Sequence, residues 1–419
     1  MFNPWPLVWA DLKRTRVGTL AIVLLVALAV GLGVAVSAQE RALREGSARA
    51  ADAFDLLIGA RGSEAQLVLS AVYLQPAAIE LISGRLLVEI GTKPEVAYAA
   101  PIGFGDNWRG HPIVGSTVDF ATRGGRLALA EGRAFQRLDE VILGADVPLA
   151  LGERFAPAHG QVESDEEDHH EFSYAVTGRL PRQGNPWDKA IIAPIEAVWW
   201  MHGLPVGHAL NEARVWPHGP DGEPDLGAVP IGPPWQEDEL PGVPAIVVKP
   251  ASFAAAYSLR STYRSAERGT MAVFPAEVLV QLYARLGDVR DLVATIALLT
   301  QTLVIGAVLL AVLASLAQRR RLIGVVRALG ASRAYVFATI WLDVAATLVT
   351  GAVLGVAFGW AGAYAVSAML AQRTSIALPV AITTAELQLV ALIVVIAMGL
   401  AVIPATLAYR GSVAAALRA

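Results

Sequence analysis

The densest gathering of chemically able side chains is Glu163-Ser164-Asp165-Glu166-Glu167-Asp168-His169-His170-Glu171, two imidazoles beside six carboxylates. Imidazole nitrogen with carboxylate oxygen is a donor set for a divalent cation, zinc ahead of calcium because histidine is present. His169, His170, Asp165 and Asp168 are the ligands the segment would supply. Adjacent residues of a strand point to opposite faces, so His169 and His170 do not readily share one ion. His159, His202 or His208 would have to complete the set. The competing reading is a solvated acidic loop.

No constellation for catalysis stands out. Neither Gly-x-Ser-x-Gly nor His-Glu-x-x-His occurs, which removes the nucleophile-elbow and zinc-protease signatures. Asp188-Lys189, behind Trp187, reads as a turn. No Gly-x-x-x-x-Gly-Lys-Ser/Thr is present to cradle a nucleotide phosphate. The absence of cysteine excludes disulfides and thiolate metal sites. A net charge of -4 leaves no general basic field for nucleic acid.

Two further groups call for a partner. Arg319, Arg320, Arg321, Arg327 and Arg333 crowd one short loop, interspersed with Leu322, Val326 and Leu329. Apolar anchors with a charged rim suit a helix presented to a partner groove. The same arginines also serve as membrane anchors on the cytoplasmic side. Asp343 stands about seven residues into an apolar run, roughly 10 Å along a helix. A carboxylate at such depth is a functional candidate, and pairing with a loop arginine is its structural alternative. In the same run Gly351, Gly355 and Gly359 recur every four residues. That spacing makes a small-residue face that lets another helix approach closely.

The elements that position these groups follow from the distribution of apolar residues. The chain has 419 residues, 55% hydrophobic and only 17% charged, with a mean hydropathy of +0.50. Soluble domains carry about 25% charge, and here the apolar excess is concentrated. Val17–Ala38 contains no charge and, as a helix of about 33 Å, is long enough to cross a bilayer core. A cleaved signal peptide ending near Val36-Ser37-Ala38 is the alternative, but the run exceeds the usual signal core. Further apolar runs cover residues 292–317, 336–370 and 387–409. The third is too long for an upright span and must tilt, kink or project.

The basic residues orient these spans. Lys13, Arg14 and Arg16 precede the first; the arginine loop 318–335 joins the second and third; Arg410 and Arg418 follow the fourth. The loop 371–386 between the third and fourth carries only Arg373 as a basic residue. Basic ends belong in the cytoplasm, which puts both termini there and residues 39–291 outside. Residues 1–16, with Trp5, Leu7, Val8, Trp9 and Leu12 among Asp11, Lys13 and Arg14, read as an amphipathic helix on the cytoplasmic face.

The outside portion reads as α+β. Residues 40–60 and 64–83 look mainly helical. Short β-like runs broken by Gly and Pro fill 94–200, Val141-Ile142-Leu143 and Phe172–Val176 among them. Residues 216–244 are rich in proline and glycine and read as a loop. Ala245–Lys249 is a strand closed by Pro250. From Ala276 to Arg321 there is no proline, and Val278, Leu282, Leu286, Val289 and Leu292 recur at helical spacing. A stalk helix over about 276–291 therefore runs on into the second span.

The stretch from Gln318 to Arg333, with Arg319-Arg320-Arg321-Leu322-Ile323-Gly324 and Arg327-Ala328-Leu329-Gly330-Ala331, resembles the signature of the FtsX/MacB-like ABC permease superfamily. The order of one span, a large outside domain and three spans resembles it too. Phe54–Ser63 and Gly184-Asn185-Pro186-Trp187-Asp188 look like a subgroup of stand-alone permease subunits. The resemblance implies a MacB/LolC/LolE-type outside domain, a porter-like part with an inserted β-rich part. It implies a homo- or heterodimer of such permeases in the bacterial inner membrane, with the outside domain in the periplasm. A separate ABC ATPase subunit would carry ATP and Mg. Arg319, Arg320, Arg321, Leu322, Val326, Arg327, Leu329, Gly330 and Arg333 would form the ATPase-coupling element. The chain itself would then be no enzyme. It would move a lipid, lipoprotein, peptide or drug-like substrate, with membrane lipids around it. The alternatives are an FtsX-like mechanotransmission scaffold acting on a periplasmic protein, and zinc-linked transport.

Overall fold

The computed structural model describes residues 3–75, 77–159, 172–209, 225–265, 267–285, 325–374 and 376–403, with isolated positions between 292 and 310 and at 406. The helices are α1 (Trp5–Arg14), α2 (Arg16–Ala51), α3 (Glu64–Ala71), α4 (Arg85–Gly91), α5 (Val118–Ala121), α6 (Ile195–Met201), α7 (Phe253–Tyr263), α8 (Pro275–Arg285), α9 (Arg333–Thr374) and α10 (Thr384–Leu400). The strands are β1 (Leu56–Ala60), β2 (Val96–Trp108), β3 (His111–Ser116), β4 (Glu131–Gly132), β5 (Glu140–Leu143), β6 (Arg154–Phe155), β7 (Ala158–His159), β8 (Tyr174–Arg179), β9 (Ile191–Pro194), β10 (Ala245–Pro250) and β11 (Thr270–Val273). They divide between two compact units: a helical one (1–45, 286–369 and 378–419) and a mixed-sheet one (46–285 and 370–377).

In the helical unit, two described helices are long and apolar enough to cross a membrane, α2 and the stretch Arg333–Gln372 of α9; α10 is a shorter apolar helix. Their shared core is Val26, Val30 and Val34 of α2, Val344, Leu348 and Ala352 of α9, and Ala401 just beyond α10. Trp341 donates its indole N–H to the Met398 carbonyl at 3.3 Å. The outward faces are equally apolar: Leu28 is 70% exposed, Val353 64% and Val395 66%. Apolar surface left open to water costs roughly 25 cal/mol per Å², and such continuous greasy faces mark a membrane or partner-helix contact.

Among the described residues the mixed-sheet unit is built on eleven strands. The main order is β11-β1-β10-β2-β3-β9-β5-β8-β4, with β6 on β8 and β7 on β2. β1 runs antiparallel to β10 and β11, while β3–β9 and β5–β8 are parallel. In β1, Leu56 and Ile58 join Ile246, Val248 and Ala272 against Leu87 and Ile90 of α4 and Leu259 and Tyr263 of α7. Leu57 faces the other way, with Val247 and Val273, toward Leu67 and Val68 of α3 and Val278 and Leu279 of α8. A second core, holding Val141, Leu143, Tyr174, Val176 and Ile191, lies in the segment between β2 and β10.

Two helix expectations are corrected here. Residues 56–60 are a strand, and α3 stops at Ala71 rather than continuing to 83. Leu-Leu-Ile-Gly-Ala is buried along its whole length, so it lacks the alternation that distinguishes a strand from a buried helix. The first apolar run also continues as one helix to Ala51, and α8 covers the described part, to Arg285, of the stretch expected to form a stalk.

An ion pair fixes the start of β5. Arg133 donates two guanidinium bonds to the Glu140 carboxylate at 2.8 and 2.6 Å, and the Gln136 N–H adds a third at 2.8 Å. The Arg133 hydrogen bond holds the Glu140 carboxyl below its ordinary value of 4.5, against the opposing effect of burial. A lowered folded value means the carboxylate stabilises the fold above its unfolded pKa, and that contribution fades as pH falls through the folded value. Glu140→Gln should therefore cost about 1 kcal/mol at neutral pH, Arg133 being half exposed. It should also flatten part of the stability loss below pH 4.5. Unfolding midpoints of both proteins from neutral to acid pH check this.

Candidate coupling site

The segment leading into α9 is a helix break built by hydrogen bonds. Residues 325–328 are helical, and the Gly330 N–H bonds the Arg327 carbonyl at 3.1 Å while the Ala331 N–H bonds that of Val326 at 3.2 Å. These are the two bonds of a Schellman stop, and Gly330 supplies the left-handed φ of +96° it requires. Ser332 then opens α9, its hydroxyl accepting from the Tyr335 N–H at 3.2 Å. Leu-Gly-Ala-Ser is thus a stop followed by a start, which presents Leu329, 83% exposed, and Val325, 43% exposed. Arg333 is exposed and Val326 and Arg327 are half-buried. Arg319, Arg320, Arg321 and Leu322 lie outside the described residues.

Asp343 is half-buried in α9, and its carbonyl accepts from the Thr347 hydroxyl at 2.9 Å. Gly351, Gly355 and Gly359 face α2 of the same chain. A Cβ at Gly351 would stand 2.7 Å from Val26 Cβ, one at Gly355 2.7 Å from Val30 Cβ, and one at Gly359 2.9 Å from Val34 Cβ. On α2, Gly31 returns the close approach: a Cβ there would stand 3.2 Å from the Gly355 carbonyl oxygen. Two backbones therefore meet where side chains are missing.

A polar clasp in the helical unit was missed by sequence reasoning. Glu386, in the first turn of α10, is 1% exposed. Its carboxylate pairs with Arg41 of α2, accepts from the Ser37 hydroxyl at 2.9 Å, and accepts from the Thr383 N–H and hydroxyl at 2.8 and 2.6 Å. Arg41 also donates to the Thr383 hydroxyl at 3.0 Å and to the Ala381 carbonyl. Thr383-Thr384-Ala385-Glu386 is a capping box. That pattern, with the first arginine past the first apolar run, is the signal that was available.

In the mixed-sheet unit the Gly184–Lys189 turn is more than the simple turn read for Asp188-Lys189. Asn185 caps a short 3-10 helix, its side-chain oxygen accepting from the Trp187 N–H at 3.1 Å. Asp188 is 1% exposed and accepts the N–H groups of Gln183 and Gly184 at 2.8 and 2.7 Å. Burial pushes its carboxyl up from the ordinary value, against those two donors.

The metal ligands expected from the acidic segment, Asp165, Asp168, His169 and His170, lie outside the described residues. Among the described residues no group of three or more His, Cys, Asp or Glu is gathered to hold a metal. His202 is 4.0 Å from Asp106, and His208 is 3.7 Å from Glu196.

Helices with apolar outer faces, together with a large mixed-sheet domain, fit a membrane permease with an extracellular domain. Residues 294–413 match the family described as FtsX-like permease C-terminal, which supports the resemblance to FtsX/MacB-like permeases. Such permeases are generally non-enzymatic transporter subunits that normally work with an ABC ATPase. No curated protein matches the chain.

Proposed function

We propose that this chain is the transmembrane subunit of an ABC-type transporter of the bacterial inner membrane. It spans the membrane four times, with both termini in the cytoplasm and the mixed-sheet domain in the periplasm. A separate ATPase subunit hydrolyses Mg-ATP, and two permease subunits, identical or not, complete the complex. The cycle moves the periplasmic domain and extracts or exports a lipid, lipoprotein, peptide or drug-like substrate.

The capped break at Gly330 carries this reading. It holds the exposed Leu329 and Val325 beside Arg327 and Arg333, inside the segment that matches the permease family. An exposed apolar knob costs solvation in water and gains by entering a partner groove. Nearby cations then select an acidic rim. Mechanical coupling needs such a contact at the end of a long helix, and α9 starts at Arg333.

Arg327→Glu is expected to leave the chain folded and membrane-inserted while uncoupling the complex. In proteoliposomes with the ATPase subunit, ATP hydrolysis should persist and ATP-driven movement of the periplasmic domain should be lost. Coupling equal to that of the unaltered protein would remove the docking role from this segment.

A further inference from the structure

We propose that the Gly184–Lys189 turn is a fixed anchor for the connection between α9 and α10, through which that connection pulls on the mixed-sheet domain. The mechanical meaning rests on the permease reading above; the anchor itself does not.

Residues 370–377 belong to the same compact unit as the domain. They are held there by bonds to their main chain. The Ala377 N–H donates to the Gly184 carbonyl at 2.8 Å, and the Lys189 ammonium donates to the Gln372 carbonyl at 2.6 Å. Main-chain bonds at both ends fix the path of the segment, whatever side chains it carries. Gly184 has φ +70°, and a Cβ there would stand 2.8 Å from Ala377 Cβ. Only glycine permits both the turn and the approach.

The other side of the turn is rooted in the domain core. Asp188 ties down the N–H groups of Gln183 and Gly184. Trp187, 3% exposed, donates its indole N–H to the Val72 carbonyl at 3.2 Å. Its ring centroid lies 4.7 Å from Phe120 and 5.9 Å from Phe54. Phe54 stands between the end of α2 at Ala51 and the start of β1 at Leu56. A pull on 370–377 is therefore delivered to close-packed aromatic core, which has low compressibility and passes displacement on. α9 is unbroken from Arg333 to Thr374, about 63 Å of helix. Its last residues lie in the anchored segment and its first follow the Gly330 stop.

The test uses the full chain, which has no native cysteine, in native membranes. Gly184→Cys with Ala377→Cys is oxidised. Lys189→Cys with Gln372→Cys is bridged with a short bismaleimide, because a cysteine at position 184 is strained and can itself displace the segment. A fixed anchor predicts bridging of the second pair at equal yield without nucleotide and with ATP and vanadate. It also predicts loss of that bridge on adding Gly184→Val, and an unchanged ATPase rate of the bridged complex. Failure of both pairs to bridge, a yield that depends on nucleotide, or inactivity of the bridged complex would overturn the anchor. Bridging in a chain that couples to no ATPase would leave the anchor standing and sink the permease reading instead.

Discussion

Arg41→Ala is expected to destabilise the helical unit by about 3–5 kcal/mol, the cost of leaving a buried charge without its partner. The charge left behind is Glu386, 1% exposed, with Ser37 and Thr383 as its remaining donors among the described residues. Three uncharged donors do not replace a guanidinium that meets the carboxylate and reaches Thr383 and Ala381 besides. The double replacement Arg41→Met with Glu386→Gln removes both charges and keeps most of the volume. It should recover much of the loss, because the penalty comes from the unpaired ion rather than from the missing attraction. Glu386→Gln alone strands the arginine, but Arg41 is 15% exposed on its side chain and partly relieved by solvent. It should therefore cost less than Arg41→Ala. Unfolding midpoints of the unaltered protein, Arg41→Met, Glu386→Gln and the double variant in one detergent give the coupling energy by a double-mutant cycle. A cycle that closes with no coupling would mean that the clasp does not form.

The clasp also shows which parts of this molecule were legible in advance. Apolar runs without charge announce spanning helices because hydrocarbon tolerates little else, and α2 and α9 begin within a few residues of the runs that predicted them. Gly330 and Ser332 declare a stop and a start through local backbone chemistry alone, and the hydrogen bonds there are local too. The Arg41–Glu386 pair joins residues 345 apart in sequence. Nothing local to Arg41 names its partner, although the capping box at Thr383 marked Glu386 as a fixed group. β1 failed for the opposite reason: burial on both faces erased the period that would have marked it as a strand. Asp188 looked like one more turn residue. Only its two backbone donors and its burial distinguish it, and both are properties of the folded neighbourhood.

Gly355→Leu is expected to cost about 3 kcal/mol or more, the upper end of overpacking effects, and to sharply lower the amount of folded protein recovered from membranes. The first added atom already collides. It would lie 2.7 Å from Val30 Cβ and 2.9 Å from the Ala27 carbonyl oxygen. A rotamer change moves the valine methyls but not its Cβ, and a Cβ or a helix carbonyl moves only with its helix, so α2 and α9 must separate. Separation forfeits the packing of Val26, Val30 and Val34 on Leu348 and Ala352. Lipid offers no hydrophobic drive to restore it, because acyl chains are as apolar as valine. Gly362→Leu is the matched control on the same helix. A Cβ there meets nothing within 4 Å, so replacement should be neutral or stabilising by about 0.5–1 kcal/mol through the lower entropy cost of ordering a non-glycine residue. Val30→Ala, which removes the Cγ1 that would lie 2.9 Å from the new Cβ, should recover part of the Gly355→Leu loss if the facing helix belongs to the same chain. If the pair instead altered only the association of two permease chains, with each chain's unfolding midpoint unchanged, the packing of α9 on its own α2 would be refuted.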